Sequence, residues 1–172
     1  MAGSLVLIDS ETASTSATIT LTGIDSTYDV YMVVLENVIP VTDNVMLKMR
    51  FQNSSGDVTS SNYDWANKVL KTYSAFDNDS ATNQDSFELT DQELGTATGE
   101  VGNAVMYLFN TSNSSEYSFF TIEATCIDDN GNLFGNQGSG VLTVAESHTA
   151  VTYYMASGNI DSGEFKLYGL KK

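Results

Sequence analysis

The chain has 172 residues, enough for one domain that hides roughly 70% of the surface its unfolded form exposes, so no staple is needed. Seven Lys and Arg stand against 22 Asp and Glu, a net charge of −15, which argues against nucleic acid or an anionic membrane as partner, since both require a basic footprint. A single cysteine, Cys126, rules out an intrachain disulfide, and nowhere do 18 apolar residues follow one another. The opening residues carry no basic segment ahead of the short apolar run Leu5 to Ile8, so no secretory leader is read.

In chain order, Leu5 to Asp9 reads as a short strand. Ala17, Ile19 and Leu21 then alternate with Thr18, Thr20 and Thr22 in a half-buried one. Gly23 to Asp29 is turn chemistry. Tyr28 to Ile39 is the longest apolar run, interrupted at Glu36-Asn37 and stopped by Pro40; a strand covered on both faces, or one that bends at Glu36-Asn37, has this pattern. Val45, Leu47, Met49 and Phe51 share one face of the next strand, with Lys48, Arg50 and Gln52 on the other. Asn53 to Asn62 is a polar loop. Trp65 to Tyr73 fits an edge strand better than an amphipathic helix, although Val69, Leu70 and Tyr73 have helical spacing.

Asp77 to Asp85 reads as a polar loop, Ser86 to Thr90 as a short strand, and Asp91 to Gly102 as a glycine-bearing connection. Ala104 to Phe109 is a strand, Asn110 to Glu116 a turn cluster, and Tyr117 to Ile127 a strand whose Phe120, Ile122, Ala124 and Cys126 face one way. Asn130-Gly131 predicts a tight hairpin turn, and Gly138 to Ala145 another strand. Val151 to Ala156 and Glu164 to Leu170 look like the two arms of a closing hairpin. Its turn is expected to hold Gly163 at positive φ and to send Phe165 and Leu167 into the core beside Tyr28 to Val38.

About ten strands, short polar connections and no composition break predict an all-β fold: a single-domain antiparallel β-sandwich over residues 1–172, jelly-roll-like. Immunoglobulin-type Cys and Trp spacing is absent.

Chemistry-bearing patterns are sparse. His148, the sole histidine, lies in Glu146-Ser147-His148-Thr149, has no nucleophile motif to serve, and reads as a surface turn residue. Cys126 sits mid-strand on the apolar face and reads as a buried thiol. Asp128-Asp129-Asn130-Gly131-Asn132 has oxygen donors suited to calcium, but aligning Gly131 with the glycine of a helix-loop-helix site puts Cys126 at the first ligand position. A β-turn accounts for it better, and Asp77-Asn78-Asp79 reads the same way. Two carboxylates at a glycosidase separation could come from any two strands, so 22 acids give no signal. Tyr63 and Trp65 adjoin a polar loop; core packing is the leading reading, an exposed platform for sugar or protein the other. The expectation is therefore a protein that is not an enzyme, with no catalytic residues, cofactor or metal.

LTGIDSTYDVYMVVLENVIP (21–40), VMYLFNTSNSSEYSFFTIE (105–123) and SGNIDSGEFKLYGLK (157–171) resemble small β-rich structural proteins of tailed bacteriophages, marine ones especially. That resemblance spans nearly the whole chain and implies a virion protein, made in the host cytoplasm and displayed on the particle surface. Neither an N-terminal anchor nor a repetitive shaft is read, which favours a capsid decoration or cement protein over a tail or fibre receptor-binding module. The implied partners are the major capsid protein or other virion proteins, further copies in a homotrimer, and, for the fibre alternative, a host-surface glycan. At marine ionic strength the Debye length falls to roughly 4 to 5 Å, so many acidic copies can sit close together.

Overall fold

The structure is a computed structural model that describes residues 4–90 and 94–171. Among them thirteen strands and no helix are present: β1 (Leu5–Ser16), β2 (Ile19–Thr22), β3 (Val30–Pro40), β4 (Leu47–Asn53), β5 (Gly56–Asp57), β6 (Tyr63–Lys71), β7 (Asp77–Gln84), β8 (Phe87–Glu88), β9 (Gly102–Phe109), β10 (Ser118–Ile127), β11 (Leu133–Leu142), β12 (Ala150–Met155) and β13 (Ile160–Leu170). They form two antiparallel sheets. The larger has the order β1-β13-β3-β9-β10-β11-β6-β7; the smaller runs β2-β12-β4-β5, with β8 also paired to β4. This is the all-β sandwich that the strand pattern predicted.

Alternation explains which side of each strand enters the core. Tyr31, Val33 and Leu35 of β3, Met106 and Leu108 of β9, and Phe120 and Ile122 of β10 are buried on one side of the larger sheet. Leu47, Met49 and Phe51 of β4, with Val151, Tyr153 and Met155 of β12, are buried on the facing side of the smaller one. One apolar cluster joins both sets. Phe87 lies at its centre, meeting Phe51, Tyr63 and Phe120 edge-on at 6.0, 4.7 and 4.5 Å between ring centroids.

Several expectations hold in detail. Residues 65–71 are strand, not helix. The Asn130-Gly131 turn closes β10 onto β11, with Gly131 at φ +77° and Ile127 opposite Leu133. The long apolar run bends where expected: Asn37 has φ +53°, and the β3–β9 register shifts between Leu35 and Val38. Phe165 and Leu167 stand opposite Leu35 and Val33 inside the core.

Others are corrected. The two arms at 151–156 and 164–170 are not a hairpin. β12 pairs with β2 and β4 in the smaller sheet, whereas β13 pairs with β1 and β3 in the larger one, so the glycine-bearing link 157–159 carries the chain across the sandwich. Both segments are apolar on their inward faces, and local pattern cannot say which sheet each completes. Asp77 to Asp85 is not a loop: Asp77–Gln84 forms β7, an edge strand paired to β6 and free to be polar because its other side meets water. β1 runs on through its Ser/Thr/Ala stretch to Ser16, held against β13, and β11 begins at Leu133 rather than Gly138. Of the connection at 91–102, residues 91–93 lie outside the described residues.

Candidate functional site

The sandwich brings together different residues from those singled out in the sequence. Tyr63 and Trp65 pack in the core, as their leading reading has it, and do not form the alternative platform; both point inward from β6. The Tyr63 hydroxyl donates to the Val58 carbonyl at 2.7 Å and accepts from the Phe51 N–H at 3.2 Å, and burial raises its pKa. Cys126 is buried and its thiol is pushed up to about 12 by desolvation, which suppresses the thiolate.

His148 is a correction: it is fully buried rather than a surface turn residue. Residues 143–149 cross from β11 to β12, and the imidazole is trapped on the way, stacked on Phe51 at 4.9 Å. Ser118 Oγ lies 2.9 Å from Nδ1 and Glu146 Oε1 3.3 Å from Nε2. Desolvation lowers the histidine pKa, so the ring is neutral, with Nε2–H donating to Glu146 and Nδ1 accepting from Ser118. A hydrolytic triad places serine on the other nitrogen and opens it to substrate. Ser118 is itself fully buried, so this line of side chains pins one sheet to the other.

Asp128 uses its carboxylate within its own turn, accepting from the Asn130 and Asn132 N–H groups at 3.0 and 2.7 Å. The same residues form a capped hairpin turn, as the turn reading expected. Asp77 and Asp79 lie on the edge strand, where Asp77 meets Lys71 at 2.8 Å. Among the described residues no group of three or more His, Cys, Asp or Glu is placed to hold a metal ion.

The two outward faces of the sandwich differ in kind. On the smaller sheet the outward groups satisfy one another. Thr152 Oγ1 donates to Asp57 Oδ1 at 2.9 Å, Gln52 Nε2 reaches both at 2.8 Å, and Thr20 Oγ1 lies 3.2 Å from Thr152. Arg50 stacks 4.8 Å over the Tyr154 ring and pairs with Asp85 at 2.7 Å, while Lys48 pairs with Glu88 at 2.9 Å. Partial burial would raise the Asp85 carboxyl, but hydrogen bonds from Ser86 and Arg50 hold it below the usual range.

On the larger sheet the outward face is graded. At one end Leu5 stands opposite Leu170, Val30 opposite Phe109, Phe109 opposite Phe119, and Phe119 opposite Val141. Leu170 and Val30 each lie one step beyond the Gly169–Tyr31 pair, so a single apolar row crosses six strands. Leu5 is 51% exposed and Phe119 41%, with the others of the row half-buried. Behind it runs a mixed row that includes Leu7 (55% exposed), Met32, Tyr107 (38% exposed) and Thr121. A third row, Lys166, Val34, Val105, Glu123, Gln137 and Lys68, turns polar from β10 onward.

Small residues beneath the third row open two adjoining recesses. One, of about 320 Å³, is lined by Tyr107, Thr121, Glu123 and Gln137 over Gly138. The other, of about 520 Å³, lies over Ala104 and Ala124 between Glu36, Asn103 and Glu123. Gln137 Nε2 donates to Glu123 Oε1 at 3.1 Å, which leaves the second carboxylate oxygen and the amide oxygen available. No sequence reading anticipated this site; its only signal was the polar half of the alternation in Tyr117 to Ile127.

Neither a protein-family model nor a curated protein matches the chain. Among solved structures, a variant fructofuranosidase from Schwanniomyces occidentalis solved with fructosylnystose superposes on 98% of this chain, at 8% identity and a TM-score of 0.28. This chain spans 34% of that protein's length, and so low a score supports no argument about fold or activity.

Proposed function

We propose that the chain is a structural protein of a bacteriophage virion, a decoration or cement protein bound to the outside of the head. The observation that carries this reading is the apolar row Leu5, Leu170, Val30, Phe109, Phe119 and Val141, joined by Leu7. The phrases at 21–40, 105–123 and 157–171 supply its phage context. Six strands at roughly 4.8 Å spacing and two rows of side chains, the apolar row and the mixed row behind it, give a largely apolar band of roughly 29 by 14 Å, about 400 Å². An apolar patch of that size on one chain is commonly functional.

A standard interface needs roughly 800 Å² per partner, so one band alone binds weakly. Three copies about a local three-fold axis of the shell would bring roughly 1,200 Å², and a homotrimer is the assembly we assign. With 22 acids against seven basic groups, the chain suits an apolar capsid patch rimmed by Lys or Arg. Cementing then follows by mass action: the protein stabilises the expanded shell by the margin with which it binds that state over others.

The test is rebinding of purified protein to stripped heads, followed by sedimentation and heating. Wild-type protein is expected to co-sediment in many copies and raise the bursting temperature, and Leu7→Ser with Phe119→Ser to do neither. Stripped heads as heat-resistant as complete ones would overturn cementing. A tail or fibre adhesin is the second reading, favoured by the polar recess around Glu123.

A further inference from the structure

We propose that the paired recesses on the outward face of the larger sheet form a binding groove for a neutral, hydroxyl-rich glycan. Tyr107 would act as the stacking platform and Glu123 with Gln137 as the hydroxyl-reading pair. This goes beyond head attachment, because Glu123, Gln137, Glu36 and Asn103 lie off the apolar row, although Tyr107 and Thr121 share the mixed row that borders it.

Three features of the groove select the ligand. Tyr107, Thr121, Glu123 and Gln137 line one recess, which gives an aromatic ring, a hydroxyl, a carboxylate and an amide around one space. A sugar ring offers the complementary surfaces: an apolar C–H face that packs on an aromatic ring, and adjacent hydroxyls that donate to the open carboxylate and amide oxygens. A volume of about 320 Å³ lies within the range of small-ligand sites, and the adjoining 520 Å³ recess shares Glu123 as its wall, so the groove has room for more than one ring.

Charge narrows the class. Glu123, which lines both recesses, repels sulfated or carboxylated sugars, as does the chain's net charge of −15, whereas Glu36 in the second recess is ion-paired to Lys166. A bound peptide is disfavoured on separate grounds. β3, β9, β10 and β11 each have a paired neighbour on both sides, so no free strand edge in the groove can add a peptide by backbone hydrogen bonds.

The two groups that read the ligand are held in place by the sheet. Val105 stands opposite Glu123, and Glu123 opposite Gln137, which sets the carboxylate beside the amide without a loop. Rigid placement lowers the ordering cost of binding.

The experiment presents the purified full chain to an array of neutral hexose and N-acetylhexosamine oligosaccharides and their sulfated and sialylated counterparts, with positives titrated by NMR. Binding to one or more neutral glycans is expected. Tyr107→Ala and Glu123→Gln should each weaken it about tenfold or more, while Phe119→Ser in the apolar row leaves it unchanged. Gln137→Ala serves as a third groove variant should Tyr107→Ala melt early. Absence of glycan binding at millimolar concentration, a preference for acidic glycans, capture of basic peptides in the groove instead, or full binding by the groove variants would each overturn the proposal. Head binding by Gln137→Ala, whose side chain lies outside the attachment band, distinguishes this failure from failure of the attachment reading.

Discussion

The two outward faces of this sandwich are built from the same alternation yet reach opposite ends. On the five-stranded sheet, Thr152, Gln52, Asp57, Arg50, Asp85, Lys48 and Glu88 are tied to one another, and little hydrogen-bonding capacity points outward unmet. On the eight-stranded sheet, Leu5, Leu7, Tyr107 and Phe119 stand exposed without an outer layer, and Glu123 and Gln137 leave acceptors open. A face whose groups are already satisfied gains little from a partner. The open face gains both apolar burial and new hydrogen bonds, so it is where recognition belongs.

The largest expected effect breaks the frame that holds the two faces apart. Gly163 has φ +141°, and an added Cβ would meet the Val38 backbone at 3.0 Å. Gly163→Val combines backbone strain with overpacking at the β13–β3 bulge. It should cost about 2–5 kcal/mol by urea unfolding; a soluble variant with unchanged midpoint would refute the assignment.

Next in size is a break in the closed face. Thr152→Val keeps the shape of a buried side chain but leaves Asp57 and Gln52 without their shared hydroxyl. We expect about 1–3 kcal/mol of destabilisation and no change in head or glycan binding.

A smaller effect tests the pin between the sheets. Desolvation lowers the His148 pKa in the folded state below 6.5, so the unfolded chain binds the proton more readily. The histidine's contribution is then fully present above pH 6.5 and is lost as pH falls below it. The melting temperature should therefore drop through this window, and the drop should shrink in His148→Gln.

The smallest stability effect belongs to the open face. Phe119→Ser should cost no more than about 1 kcal/mol of stability, because the ring packs outward and gives up only its cross-strand contacts with Phe109 and Val141, while abolishing attachment to heads. If Phe119→Ser proved more destabilising than Thr152→Val, the contrast between the faces would collapse.

Much of the fold was legible from the residues. The alternation over Val45 to Gln52 and over Tyr117 to Ile127 placed both strands and their buried faces correctly, and Asn130-Gly131 located a hairpin to the residue. Illegible were the features that depend on distant neighbours. Asp77–Gln84 has no strand composition and is a strand because β6 offers it an edge. Tyr63 and Trp65, by contrast, read first as core despite the adjoining polar loop and do face inward, because β6 turns its odd-numbered residues to the core. Tyr107 became the exposed aromatic for the converse reason. The groove beside it takes its residues from strands 14 or more positions apart in sequence, so no local motif could announce it.

By itself the amino-acid order determined that the chain is all β, which residues of most strands face inward, where the Asn-Gly turn falls, and that the chain carries a net charge of −15. These are local properties, set by a two-residue period, by glycine and asparagine at positive φ, and by a charge sum. Tertiary structure alone decided that 151–156 and 164–170 complete opposite sheets, that His148 is buried between them, and that one outward face is closed and the other open. Strand partners are chosen by the whole set of inward faces competing for one core, and that competition is not written in any single stretch.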